Sequence, residues 1–101
     1  MFKDGMVSMI QKSKKIQEDM KIAQEEIKST SCQGESDSGA VKITLTGEYR
    51  VTNIQIDDSL LTDKEILEDL IMTALNDASS QISEISKAKL KNITDGINLP
   101  F

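Results

Sequence analysis

Histidine and tryptophan are missing from this 101-residue chain, and cysteine, proline and arginine occur once each, at Cys32, Pro100 and Arg50. Without histidine the commonest general base is gone, and with one cysteine so are the usual ligand sets for zinc, copper and iron. Ser-His and Cys-His nucleophiles fall with them. The expectation is a protein that is not an enzyme, with no catalytic residue, no metal, no other cofactor and no small-molecule substrate. Cys32 cannot close an internal disulfide, which fits a reducing compartment. It reads as a small half-buried residue, with a redox sensor as the sharper alternative. Aromatic residues are limited to Phe2, Tyr49 and Phe101. The interior must therefore be built from Ile, Leu, Val, Met and Ala, as in a helix-rich core. No apolar run approaches roughly 18 residues, and no charged-then-apolar start leads to a small-residue cleavage site. The chain reads as cytoplasmic, neither membrane-spanning nor exported, and as one domain over residues 1–101 with a single core.

Charge of one sign is concentrated rather than spread. The net charge is −5. Residues 57–70 hold Asp57, Asp58, Asp63, Glu65, Glu68 and Asp69 against Lys64, six acids minus one lysine, so the remainder sums to zero. This cluster lacks the alternating Asp/Asn-and-Gly spacing of a calcium loop. It reads as a solvated turn and helix start.

The first regular element is a helix over about 6–28. Met6, Met9, Ser13, Ile16, Met20, Ala23 and Ile27 recur at alternating steps of three and four, a heptad seam. The seam is rich in small and soft residues, so the helix should pack on a partner rather than form a free-standing coiled coil. A sheet follows over about 30–57. Ser, Thr, Gly and Asp between Ser29 and Ala40 give a short strand and a turn, with Gly34 and Gly39 flanking Glu35-Ser36-Asp37-Ser38. Val41, Ile43 and Leu45 alternate with Lys42, Thr44 and Thr46, the pattern of a strand with one buried face, and Gly47-Glu48 supplies the next turn. Beyond it Tyr49 and Val51 fall on one parity and Ile54 and Ile56 on the other. Either that strand starts late or a bulge near Asn53 resets its register. Thr62-Asp63-Lys64-Glu65 reads as a capping box with the threonine as cap. The helix it opens, over about 63–94, carries Ile66, Leu67, Leu70, Ile71, Ala74, Leu75, Ala78, Ile82 and Ile85 on one face, with Leu90 and Ile93 extending the pattern. A short tail occupies residues 95–101.

At 1.5 Å per residue the two helices span roughly 35 and 45 Å, whereas a compact domain of this size has a radius of gyration near 13 Å. Both helices outrun a globular monomer. A three-stranded sheet also leaves two edges open to pairing. The expected architecture is therefore α+β, with an N-terminal helix, a three-stranded antiparallel sheet and a long C-terminal helical region, assembled as a homodimer.

Taken in order, Thr30 to Glu35, Gly39-Ala40-Val41-Lys42-Ile43-Thr44, Gly47, Val51, Ile54 to Asp57, Ser59-Leu60, Glu68-Asp69-Leu70 and Asn76-Asp77-Ala78 resemble the YbaB/EbfC pattern. The terminal Gly96-Ile97-Asn98-Leu99-Pro100-Phe101 is similar to that family's Gly-rich, Leu-Pro-containing tail. The resemblance covers essentially the whole chain and rests on order and spacing together. It implies a bacterial, nucleoid-associated protein that binds double-stranded DNA as a dimer with projecting helical arms. The chain departs from the pattern at Asp58, where the family commonly has proline, and in a shortened tail.

An acidic chain can hold DNA only through a local excess of base, because phosphate neutralisation supplies most non-specific affinity. Lys12, Lys14 and Lys15 on the first helix and Lys87, Lys89 and Lys91 on the last are the two basic clusters. On residues alone they fit a solvated helix face as well as a DNA surface; the resemblance turns them toward DNA. One arginine and almost no exposed aromatic leave little for reading base edges or stacking on bases, so little sequence preference is expected. The competing expectation is a protein-interaction module whose DNA binding is incidental.

Overall fold

The structure, a computed structural model, describes residues 2–97; of the tail expected over 95–101, residues 98–101 lie outside the described residues and 95–97 continue the last helix instead. The chain runs α1 (Phe2–Ser29), β1 (Ser31–Glu35), β2 (Val41–Thr46), β3 (Val51–Ile56), a short 3₁₀ helix (Asp58–Thr62) and α2 (Lys64–Ile97). The three strands form one antiparallel sheet in the order β1-β2-β3. The fold class is thus the α+β arrangement that the periodicities predict.

Alternation along β2 fixes which face of the sheet is inside. Val41, Ile43 and Leu45 are buried, and α2 lies over them and over β1. The α2 residues that descend between them are small: Ala74 and Ala78 are fully buried, with Ile82 as the large fully buried side chain of that helix. The apolar core divides into two neighbouring groups. Val41, Ile43 and Ala74 gather Ile56, Leu60, Leu67, Leu70 and Ile71 around them, and Cys32, Leu45, Ala78 and Ile82 gather Ile85. Cys32 is therefore a small core residue. Leu75, expected on the buried face, is 36% exposed. It stands one residue past Ala74, and a turn of about 100° carries it off the contact line.

Two glycines set how closely the layers approach. Gly34, expected beside the first turn, is inside β1, and a Cβ there would collide with the carbonyl oxygen of Ala74 and the backbone of Ala78. A Cβ at Gly47 would strike the carbonyl of Ile27. Helix α2 is thus seated on β1, and the β2–β3 turn on the end of α1, at distances only glycine permits.

The parity change in β3 is a bulge. Thr44 pairs with Asn53 and Leu45 with Val51, leaving Thr52 as the extra residue. With Thr52 set aside, Val51, Ile54 and Ile56 lie opposite Leu45, Ile43 and Val41 and share the inner face. Only Ile56 joins the core; Val51 and Ile54 remain 47% and 51% exposed because α2 stops short of this strand. The cap of α2 also differs from expectation. Thr62 closes the 3₁₀ helix, and Asp63 caps α2, its Oδ1 accepting from the Ile66 N–H at 3.2 Å and its carbonyl from the Leu67 N–H at 3.0 Å.

Candidate nucleic-acid interface

Helix α2 crosses the sheet from the Val41 end to the Leu45 end and continues past it, where α1 runs alongside. The molecule is consequently long, 75 × 24 × 15 Å, with a radius of gyration of 20.4 Å. Helices of 28 and 34 residues measure about 42 and 51 Å. They share only a part of their length. Within that shared part the heptad seam of α1 is covered: Ala23 and Ile27 are buried, Ile16 and Met20 half-buried. Farther out, Ser13 is exposed and Met9 is 72% exposed. The seam therefore packs on α2 at its C-terminal end, and the rest of α1 extends as a single helix.

The structure brings the two expected lysine clusters onto this one arm without bringing them to one spot. Lys12, Lys14 and Lys15 are all exposed, as are Lys87 and Lys91. Lys89 is half-buried, and its Nζ donates to Glu26 Oε2 at 2.8 Å, a cross-link between α2 and α1. Lys12 is fourteen residues from Glu26 along α1, so it stands about 21 Å farther out than that pair. Among the described residues the only other ion pair is Lys64 with Glu68 at 3.8 Å, on the exposed surface of the first turns of α2.

The acids of residues 57–70 lie at the other end of α2, and two of them, Asp57 and Asp63, are occupied with local backbone. Asp57 Oδ1 accepts the Ser59 N–H at 2.9 Å, and this backbone hydrogen bond, with help from the Ser59 side chain, holds the Asp57 carboxyl below the usual carboxylate range. Asp63 caps α2. No group of three or more potential metal ligands occurs among the described residues. From Asp69 to Lys87 the helix climbs about 27 Å. At a Debye length of about 8 Å the acidic end is screened from the arm.

Two polar features were not foreseen from the sequence. Asp77 and Gln81, one turn apart on α2, reach the backbone of β1: Asp77 Oδ2 accepts the Glu35 N–H at 3.0 Å, and Gln81 Nε2 donates to the Gln33 carbonyl at 2.9 Å. Gln81 also donates to Asp77 at 3.3 Å. Separately, Lys28 at the end of α1 and Arg50 in the β2–β3 turn line one open concavity at the base of the arm. The seven-residue spacing of Lys14, Lys21 and Lys28 was visible in the sequence, but the meeting of Lys28 with Arg50 depends on how the turn is seated.

Such a fold, an acidic head of sheet and helix carrying a lysine-bearing helical arm, has the architecture expected of a small DNA-binding protein. A profile of the YbaB/EbfC DNA-binding family matches residues 2–97. The chain belongs to that family of nucleoid-associated proteins. It is also similar to a solved protein, the uncharacterized protein HP0035 from Helicobacter pylori, with 31% identity, a TM-score of 0.71, and coverage of 80% of this chain and 87% of that one.

Proposed function

We propose that this protein binds duplex DNA as a homodimer in the cytoplasmic nucleoid, gripping phosphates through Lys12, Lys14, Lys15, Lys87, Lys89 and Lys91 with little sequence preference, and so organises the nucleoid or affects gene expression. It performs no reaction and carries no cofactor. The observation that carries the reading is the separation of the two clusters along the molecule: the exposed lysines of the arm lie some tens of ångströms from the acids gathered around the start of α2. Electrostatic grip needs only the local field, so a net charge of −5 does not oppose it.

The homodimer is supported by the inner face of β3, where Val51 and Ile54 have no cover, and by the exposed Leu61 of the 3₁₀ helix that follows. A second copy would bury these apolar groups and pair the open strand edge.

Retardation of duplex DNA across a salt series tests the reading. The log of affinity should fall against the log of salt with a slope of about −0.9 per phosphate contacted, and replacing one lysine cluster with glutamine should reduce the slope about equally on all sequences. A six-fold glutamine variant that stays folded and dimeric and still binds unchanged would remove the arm from the DNA surface. The interaction-module reading would then lead. It has one observation in its favour: Lys89 is already neutralised by Glu26, which subtracts one of the six cations from DNA.

A further inference from the structure

We propose that the concavity lined by Lys28 and Arg50 at the base of the arm is a second seat for the DNA backbone, taking a phosphate beyond those held by the arm lysines. This rests on the DNA-binding reading above and adds a site to it.

The concavity has a volume of about 600 Å³ and is bordered by Lys28, Thr46, Glu48, Arg50, Val51 and Thr52. Its lining carries two cations against one carboxylate, a net charge of +1. In the single chain both cations are exposed, and neither takes part in an ion pair among the described residues; Val51 on the rim belongs to the face that the proposed second copy covers, so the seat lies at the margin of that interface. Lys28 is also free of helix-end duty. The last carbonyls of α1 are already met, Glu26 by the hydroxyls of Ser29 and Thr30 at 3.0 and 2.8 Å, and Ile27 by the Thr30 N–H at 3.1 Å.

The backbone that presents Arg50 is held firmly. Thr46 Oγ1 accepts the N–H groups of Glu48 and Arg50 at 3.2 and 3.3 Å, and the Thr46 N–H donates to the Arg50 carbonyl at 2.9 Å. Between them Tyr49 adopts a left-handed φ of 62°. The turn is in turn fixed to α1, since the Gly47 N–H donates to the Thr30 carbonyl at 2.9 Å and the absence of a Cβ lets Gly47 rest on Ile27. Two cations from distant parts of the sequence are thus brought together by a locked turn. Arg50 is the only arginine of the chain, and a guanidinium matches a phosphate with two parallel donors where an ammonium offers a point charge.

The site continues a line already on the arm. Lys14, Lys21 and Lys28, seven residues apart and all exposed, share one flank of α1 at intervals of about 10.5 Å. Arg50 extends that line onto the turn. Glu18 and Glu25, four residues past Lys14 and Lys21, interrupt the stripe, which makes it a set of spaced single contacts and leaves its base, where two cations line one concavity, as the strongest point. Nothing aromatic lines the concavity to stack a base, so the matching ligand is backbone phosphate.

The test measures duplex binding by anisotropy over a salt series for the full chain and for a Lys28→Gln, Arg50→Gln double variant, with circular dichroism and sedimentation confirming fold and assembly. The double variant should bind about ten-fold more weakly near 0.1 M salt, with a log–log slope smaller by about 0.9, the loss of one phosphate contact. Arg50→Lys should restore most of the slope but not all of the affinity. Unchanged affinity and slope in the double variant, while the unaltered chain binds, would overturn this proposal and leave the arm reading intact. An unaltered chain that fails to retard DNA even at low salt would overturn both. A double variant that loses the dimer would place Arg50 in the interface beside Val51 and overturn the proposal. Inorganic phosphate that binds the unaltered chain but not the double variant, and at constant ionic strength leaves duplex binding unchanged, would assign the concavity to a free anion instead and overturn the proposal.

Discussion

Along β1, backbone groups that face away from β2 are met by side chains of α2: the Glu35 N–H by Asp77 and the Gln33 carbonyl by Gln81. Along β3, at the opposite edge of the same sheet, no hydrogen bond from a helix arrives among the described residues, and Val51 and Ile54 show their apolar side chains to solvent. Gly34 is the reason for the difference. By letting α2 approach β1 to backbone contact, it brings Asp77 and Gln81 within reach of that edge and pulls the helix away from β3. One edge is closed to strand pairing by the chain itself, and the other is left available. The contrast shows how a small sheet can have one edge covered by its own helix and the other left open.

The sharpest way to break this asymmetry is Gly34→Val. Its side chain has no room under Ala74 and Ala78, so α2 must lift or the chain unfold. A loss of about 3 kcal/mol or more is expected in urea denaturation. A midpoint within error of the unaltered protein would show that the close approach is not required. Next in size, Ile54→Glu places a charge on the open edge. The sedimented mass should fall from about twice 11.2 kDa to the chain mass, with the dimer dissociation constant raised by about a hundred-fold, and helix content retained. A dimer that survives this change is not built on β3.

A milder test acts on the closed edge. Asp77→Ala combined with Gln81→Ala leaves the Glu35 N–H and Gln33 carbonyl without their α2 partners, at a cost of about 1–3 kcal/mol. If the edge is thereby exposed, assemblies larger than a dimer should appear on sedimentation as β1 finds a strand to pair with. Smallest of all is Asp57→Ala, which removes the cap of the 3₁₀ helix behind β3. Because the folded-state pKa of Asp57 is lowered, its contribution is present above the ordinary carboxylate range and is lost as pH falls through the lowered value. The thermal midpoints of variant and parent should therefore differ near neutrality and converge in acid. A difference that grows as pH falls would contradict that role.

What could be read ahead of the structure followed from local pattern. Val41, Ile43 and Leu45 announced their buried face by alternation, whereas the broken parity between Val51 and Ile54 fitted a late strand start as well as a bulge, and Thr52 provides the bulge. Long-range approach was not legible. Gly34 looks like turn material until α2 is placed on it, and Asp77 and Gln81 look like an ordinary polar face until β1 lies beneath them. The cap moved from Thr62 to Asp63 because the 3₁₀ helix claims the threonine, a competition between neighbouring short motifs that spacing alone does not decide. The arm lysines were visible as clusters, but the partner of Lys89 is 63 residues away and no local signal connects it to Glu26.

The chain's only thiol sits between the sheet and α2, enclosed by Leu45, Ala78 and Ile82. That placement makes Cys32 a clock for the seam on which the whole arm depends. An alkylating reagent cannot reach it while the helix is seated, so the rate of modification counts how often α2 rises from β1. Where reclosing is fast, that rate gives the free energy of opening. A ligand that braces the arm against the sheet slows the clock, and one that grips only the outer stretch of α1 leaves it running at its own pace.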